Sequence, residues 1–251
     1  MTAPPRLKVS CVIIARNEAD RISRAVSSVS GLVDEVLVVD SGSTDGTQAL
    51  CEKLGARVIH NDWTGFGPQK RFAEDSARND WILNLDADEW LSGALRAEIA
   101  AILARENPRA NSFRMKMTMV YPGREKPAPF ADYHNYVRLY DRRATRFVDS
   151  LVHDEAPPTP NAAQLSAPAF HQSFRSLSHL VRKEIVYFNL QKRELKKNRA
   201  ALLARAVVEW PWQFLKYYLV RRHIFGGAYG LALSLVMAGM RWLRLLILAG
   251  R

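Results

Sequence analysis

The chain is short of cysteine, of acidic charge and of long apolar runs, and each shortage excludes something. Only two cysteines, Cys11 and Cys51, occur in 251 residues. No C-x-x-C pair exists, so neither a disulfide framework nor a thiolate metal cage is available, and a reducing compartment is expected. The uncharged run from Ile224 to Met240 falls short of the roughly 20 residues that a membrane span prefers. Residues Met1 to Lys8 hold no apolar core of a signal peptide, and Val9 to Ala15 is too brief to supply one, so the first part is expected in the cytosol. Fixed-period repeats are absent, which excludes a solenoid. Asp and Glu number 25 against 36 Lys and Arg, a formal charge of +11.

What is present is an ordinary globular balance, with 48% apolar and 24% charged residues, so wholesale disorder is excluded. The charge is divided. Residues 1–100 carry 11 basic and 15 acidic side chains; residues 101–251 carry 25 and 10. The basic part is expected to meet something anionic: a membrane surface, a phosphorylated substrate or nucleic acid.

The first hundred residues alternate buried-strand and helix patterns. Val9–Ala15 is a β-branched apolar run. Asp20 is placed to cap a helix carrying Ile22, Ala25, Val26 and Val29. Glu35–Val39 is a second strand, closed by Asp40. Thr47–Leu54 is helical, Arg57–His60 a third strand, the stretch through Phe72 and Ala73 a helix, and Trp81–Leu85 a fourth strand. This order predicts right-handed βαβ units and a mainly parallel sheet. Later, Ser112–Val120 and Tyr136–Tyr140 alternate as antiparallel or edge strands. Residues 156–169, rich in Pro and Ala, read as a loop, and the chain from Ser176 onward reads as helical.

In such sheets ligands bind beyond the carboxyl ends of the strands. Carboxylates gather there: Glu18, Asp40, Asp62, Asp86 and Asp88. Asp86 and Asp88 flank one small residue after a buried strand. Their hard oxygens suit Mg²⁺ or Mn²⁺ and leave coordination positions for phosphate. Asp40 is suited to accept from an imide N–H such as that of uracil. Ser43 or Thr44 is placed to cap the helix that follows, whose N-terminus favours anions.

Three segments, Ile13–Glu18, Val38–Thr47 and Leu83–Glu89, together resemble family 2 glycosyltransferases of the GT-A fold. Gly65–Ala73, Asp132–Tyr140, Val152–Asp154 and Phe170–Leu177 resemble the lipopolysaccharide core β-glucosyltransferase branch of that family. The resemblance implies an inverting hexosyltransferase, most simply a glucosyltransferase, that uses a UDP-sugar donor and a divalent cation. It implies a nucleotide-sugar site of Ala15, Asn17, Glu18, Asp40, Ser43, Lys70, Asp86, Ala87 and Asp88, with Asp88 on the metal. His153 is a candidate further metal ligand, with a hydrogen-bonded structural histidine as the plain alternative. An inverting transfer needs a base for the acceptor hydroxyl. Asp132 is the first choice, from its place in the family's acid motif, and Asp154 the second. Position 154 more often carries Glu in that branch. His171 is read as structural or cleft-lining.

The expected organisation is a GT-A catalytic domain over 1–175, with a nucleotide-sugar half at 1–106 and an acceptor half at 107–175. A basic, aromatic-rich helical extension follows over 176–251. Trp210, Trp212, Tyr217 and Tyr218 stand beside Lys216, Arg221 and Arg222, as a membrane interface selects. Burying Arg241 and Arg244 at a bilayer centre is costly. The extension is therefore expected to lie on the cytoplasmic face of the inner membrane, peripheral or monotopic, with its cations toward anionic headgroups. The implied acceptor is a phosphorylated lipid-linked glycan. Nucleic acid is not expected, because the cations accompany apolar helices rather than a groove of stacking aromatics. A membrane-bound scaffold on the same fold is the non-enzymatic alternative. Loss of Asp86, Asp88 or every candidate base would favour it, and all are present.

Overall fold

A computed structural model describes residues 6–149, 155–194 and 199–249. These fall into two compact units, Met1–Thr118 with Tyr133–His171, and Met119–Asp132 with Gln172–Arg251.

The first unit is an eight-stranded sheet in the order β3-β2-β1-β4-β7-β6-β8-β5. Its strands are β1 (Val9–Ala15), β2 (Glu35–Asp40), β3 (Arg57–His60), β4 (Trp81–Asp86), β5 (Glu89–Leu91), β6 (Ser112–Met119), β7 (Tyr133–Asp141) and β8 (Ala163–His171). β1 runs parallel to β2 and β4, and β2 to β3. β7 is antiparallel to β4 and β6, and β8 to β5. Helices α1 (Ile22–Val29), α2 (Thr47–Lys53), α3 (Phe66–Ser76) and α4 (Gly93–Leu103) complete the unit. It is an α/β domain with a mixed sheet flanked by helices.

Alternation along the strands builds a core on each face. Val9, Cys11, Ile13 and Ala15 of β1 join Val38 and Leu83 on one side, with Ile22, Ala25, Val26 and Val29 of α1. Those four α1 residues recur at the spacing that makes one apolar helix stripe. Val12 joins Leu37, Val39 and Ile82 on the other side, with Ala73 of α3, Tyr140 and Phe147. Cys11 and Cys51 are buried free thiols. Burial pushes Cys11 far up and Cys51 up to about 11, so both act as small apolar side chains.

The structure departs from the expected elements in three places. The 156–169 segment is a loop only at its start; Ala163 onward forms β8, which pairs with three-residue β5. Low strand propensity and Pro168 hid it, and pairing with a neighbour distant in sequence overrides both. Asp20 does not cap α1: the cap position is Arg21, and the Glu18 carbonyl accepts from the Arg21 and Ile22 N–H groups. Neither Ser43 nor Thr44 caps α2. Asp45 accepts from the Thr47 N–H at 3.1 Å, across a left-handed Gly46.

Register decides where the site forms. Ala15 stands opposite Asp40, Ile14 opposite Asp86, and Asp40 opposite His60, so the carboxyl ends of four parallel strands share one edge. β4 sits mid-sheet and β5 at the far end, yet only Ala87 and Asp88 join them. The sheet must therefore curl, and its last edge returns to the mouth of β4.

The second unit consists of the 119–132 loop with α5 (Leu177–Glu194), α6 (Arg199–Leu215) and α7 (Gly227–Ala249). Pro211 lies inside α6, and a wide helical turn over Lys216–Val220 follows it. Leu202 and Ala206 of α6 pack on Leu245, Leu248 and Ala249 of α7. Tyr121 and Phe174 pack with Leu180 of α5 and Leu233 of α7. The stretch His223–Ala249, of mean hydropathy 1.8, is long and apolar enough to cross a membrane, and a core helix of a soluble protein meets the same criterion.

Candidate functional site

The site forms at the strand edge of the first unit. The turn after β1 places Asn17 in a left-handed conformation, φ 57°. That turn is tied to the loop after β2. The Asn17 N–H donates to Ser43 Oγ at 2.8 Å, and the Thr44 N–H donates to Asn17 Oδ1 at 2.8 Å. The Glu18 N–H donates to Thr47 Oγ1 at 2.9 Å. Two loops far apart in sequence thus form one rigid lip.

Asp40 is fully buried and accepts from its own loop. Gly42 and Ser43 donate their N–H groups at 3.0 and 2.9 Å, Gln48 its Nε2 at 2.5 Å, and Ser43 also its hydroxyl. Burial raises the Asp40 carboxyl, but these bonds outweigh it and hold it below the ordinary carboxylate range.

Asp86 is the centre of a charge network. Lys70 of α3 is fully buried, and its Nζ lies 2.6 Å from Asp86 Oδ1, 2.9 Å from Asn84 Oδ1 and 4.7 Å from the Phe147 ring centroid. Arg138 of β7 donates to Asn84 Oδ1 at 2.9 Å, Asp86 Oδ2 at 3.1 Å and Glu89 Oε1 at 2.7 Å. Burial opposes ionisation of Asp86, yet Lys70 and Arg138 outweigh it and hold the carboxyl far below the ordinary range. Glu89 moves the other way: burial, with the charge of Asp86 added, raises it despite Arg138.

Asp88 meets two other cations. Arg21 Nη1 lies 3.1 Å from its Oδ2, and His171 Nε2 lies 3.5 Å from its Oδ1. Arg21 also grips both oxygens of Glu18, one at 2.9 Å. Burial raises Asp88, but His171 and Arg21 outweigh it and hold it low. Burial disfavours a charged His171, but Asp88, Glu89 and Asp86 around it push its pKa up to about 9.

Of the residues expected from sequence, Ala15, Asn17, Glu18, Asp40, Ser43, Lys70, Asp86, Ala87 and Asp88 lie along this edge. Asp132 belongs to the second unit, where its carboxylate meets Arg221 Nη1 at 2.6 Å. His153 and Asp154 lie outside the described residues. Sequence reasoning missed Arg21, Asn84, Glu89 and Arg138 and gave His171 no ionic role. One signal was available: an Arg in the apolar strand segment Tyr136–Tyr140 and an Asn in Trp81–Leu85 are buried polar groups that require partners.

The donor set can be tested against a divalent ion. Among the described residues no group of three or more His, Cys, Asp and Glu forms a metal cage. Asp86 and Asp88 keep 26% and 14% of their side chains exposed. Two accessible hard-oxygen carboxylates fit a Mg²⁺ or Mn²⁺ that completes its shell with phosphate oxygens and water.

An α/β sheet whose parallel strands end in these carboxylates defines a GT-A-like domain. The solved structure of residues 1–349 of TarS from S. aureus has a similar fold, with a TM-score of 0.50 at 17% identity over 88% of this chain and 75% of that one. The Glycosyl transferase family 2 model matches residues 10–154, and the chain belongs to that family. An uncharacterized glycosyltransferase of Rickettsia conorii is 39% identical over 95% of this chain and 88% of its own length. A lipopolysaccharide core biosynthesis glycosyltransferase of Rhizobium meliloti, LpsC, is 37% identical over 40% of this chain and 38% of its own.

Proposed function

We propose that the protein is a metal-dependent, inverting hexosyltransferase. It moves a hexose, most simply glucose, from a UDP-sugar to a lipopolysaccharide core or similar lipid-linked glycan at the cytoplasmic face of the inner membrane. The observation that carries this reading is the network in which Lys70 and Arg138 hold Asp86 while Arg21 and His171 hold Asp88, beside the Asp40 loop. Acids alone would repel a diphosphate. Acids kept ionised by fixed cations present both a metal-binding face and positive charge to a departing nucleotide diphosphate.

In this reading Ala15, Asn17, Glu18, Asp40 and Ser43 form the nucleoside end, and Lys70, Asp86, Ala87 and Asp88 the diphosphate end. Asp88, with His153, would hold the Mg²⁺ or Mn²⁺, which when bound supplies Lewis-acid stabilisation of leaving-group charge. Asp132, or Asp154 in its place, takes the proton of the acceptor hydroxyl. The partial likeness to the Rhizobium meliloti enzyme supports a lipopolysaccharide-type acceptor. Capsule, exopolysaccharide and polyprenyl-phosphate acceptors use the same chemistry.

The surface of the second unit supports the membrane part. Among the described residues, four exposed large apolar side chains (Trp63, Phe66, Tyr133 and Val148) belong to the first unit, and the rest to the second. Val207 is 80% exposed and Trp212 63%. A concentration of exposed large apolar side chains in one unit supports a contact face there. The test is turnover with UDP-, GDP- and ADP-hexoses, Mn²⁺ or Mg²⁺, and purified core glycolipids. UDP release with UDP-glucose and a core acceptor supports the reading; transfer from a GDP- or ADP-sugar alone overturns the donor assignment.

A further inference from the structure

The second unit contains a pocket of about 570 Å³ that none of the site chemistry above uses. It lies between the 119–132 loop, which contributes Tyr121, Arg124 and Lys126, and the short helical turn His223–Gly226 before α7, which contributes Phe225 and Gly226. We propose that this pocket seats the phosphate-bearing head group of a lipid at the membrane surface. The proposal rests on the membrane reading above and extends it to a defined subsite.

Four observations carry it. The volume falls in the roughly 300–1,000 Å³ range of small-molecule sites. Its lining is fixed: the Tyr121 hydroxyl lies 2.8 Å from Nδ1 of buried His223. Its wall is built for close approach, because a Cβ on Gly226 would stand 2.4 Å from the Tyr121 hydroxyl oxygen. Only glycine allows that backbone to lie on the ring. The surroundings are strained. Among the described residues three non-glycine residues have positive φ, and two of them are Phe130 (55°) and Arg222 (59°) in this unit. Such backbone persists where the structure around it enforces it, commonly at ligand sites.

The ligand class follows from the lining. Arg124 and Lys126 flank the single acid Glu125, so the wall carries net positive charge and suits a phosphate. The lip is apolar. Phe130 and Phe225 pack at 5.1 Å between ring centroids and are 68% and 50% exposed, and Ile224 is 42% exposed. Exposed aromatics beside cations favour an amphiphile, whose chains meet the aromatic lip while its head enters the pocket, over a freely dissolved phosphate.

The test is flotation of the full-length protein with neutral phosphatidylcholine vesicles and with vesicles that also contain phosphatidic acid. The expected result is binding to both, at least tenfold tighter with phosphatidic acid. Arg124→Ala with Lys126→Ala should remove that preference, keep neutral-vesicle binding and leave Tm unchanged, since both side chains are solvent-exposed. Arg182→Ala with Lys183→Ala, on exposed α5 positions, should keep the preference. Equal losses in the two pairs would mean diffuse attraction and overturn the pocket. Equal wild-type binding to the two vesicle types would overturn the pocket while the membrane reading stands. Binding to neither would overturn both. Soluble glycerol phosphate that abolishes the preference at micromolar concentration would assign the pocket to a free phosphate and overturn the lipid assignment.

Discussion

The Lys70 ammonium, fully buried, lies 2.6 Å from Asp86 Oδ1. A buried cation of this kind is tolerated only because it is paired, and its removal takes a direct partner from both Asp86 and Asn84. Lys70→Met is expected to destabilise the fold by about 3–5 kcal/mol, the usual cost of breaking a buried pair. It should also lower turnover at least about 100-fold, as loss of one fixed transition-state donor does. Thermal melts and a UDP-release assay read the two effects separately. Unchanged Tm would mean that Lys70 is not the clamp on Asp86.

Asp88 separates the roles of charge and fold. Asp88→Asn keeps the shape and some hydrogen bonding to Arg21 and His171 while removing the anion. Turnover should fall by about 100-fold or more, and Tm should fall less than in Lys70→Met, because the amide still accepts one bond and Arg21 keeps Glu18. Chelation should have the same effect on the wild-type enzyme, reversed by Mn²⁺ or Mg²⁺. Full activity in chelator would remove the divalent ion from the reaction.

The base can be assigned by comparing two variants. Asp132→Asn should lower kcat by about 100-fold or more while donor affinity changes little, since general-base catalysis contributes about 10²–10⁴. Arg221 loses its partner as well, so Arg221→Ala serves as the control for the broken ion pair. If Asp154→Asn alone reproduces the kcat effect, Asp154 is the base.

Glu35 makes the fold sensitive to acid. It is buried and accepts from Ser10 Oγ at 2.6 Å, the Arg78 N–H at 2.8 Å and Arg57 Nε at 2.9 Å. Burial raises its carboxyl, but these bonds outweigh it and hold the pKa below the ordinary 4.5. A folded-state pKa below the unfolded value gives stability that is present above the unfolded value. That stability is lost as pH falls through the folded one. Glu35→Gln should therefore have a lower Tm than wild type at pH 7, and the gap should close toward pH 3. A gap independent of pH would mean that the ionised form is not what stabilises.

The parallel half of the sheet was legible because its strands are buried on both faces and read as continuous apolar runs broken by turn residues. Glu18, Asp40, Asp86 and Asp88 were legible for a related reason: acids at the ends of such runs need an explanation. Of the cations, Lys70 was legible only through the family resemblance; its pairing with Asp86, and Arg21, Arg138 and the charge on His171, were not. Arg138 reaches Asp86 across 52 residues and Lys70 across 16, and His171 reaches Asp88 only because β8 pairs with β5. Local pattern holds no trace of those pairings. β8 itself was hidden by Pro168 and its alanines, and the grouping of residues 119–132 with the C-terminal helices depends on packing around Tyr121, which no periodicity encodes.

The two-residue link between β4 and β5 also sets an order for synthesis. Glu89 is made 49 residues before its partner Arg138, and β5 before the β8 strand that covers it. A nascent chain that ends before Tyr133 thus exposes the open flank of β4 and a set of acids with no counter-charge from β7. Non-local pairing of this sort is slow and leaves edges open in the meantime. The ribosome must deliver residues up to His171 before the curled sheet can close, so the catalytic edge is among the last parts of the first unit to become native.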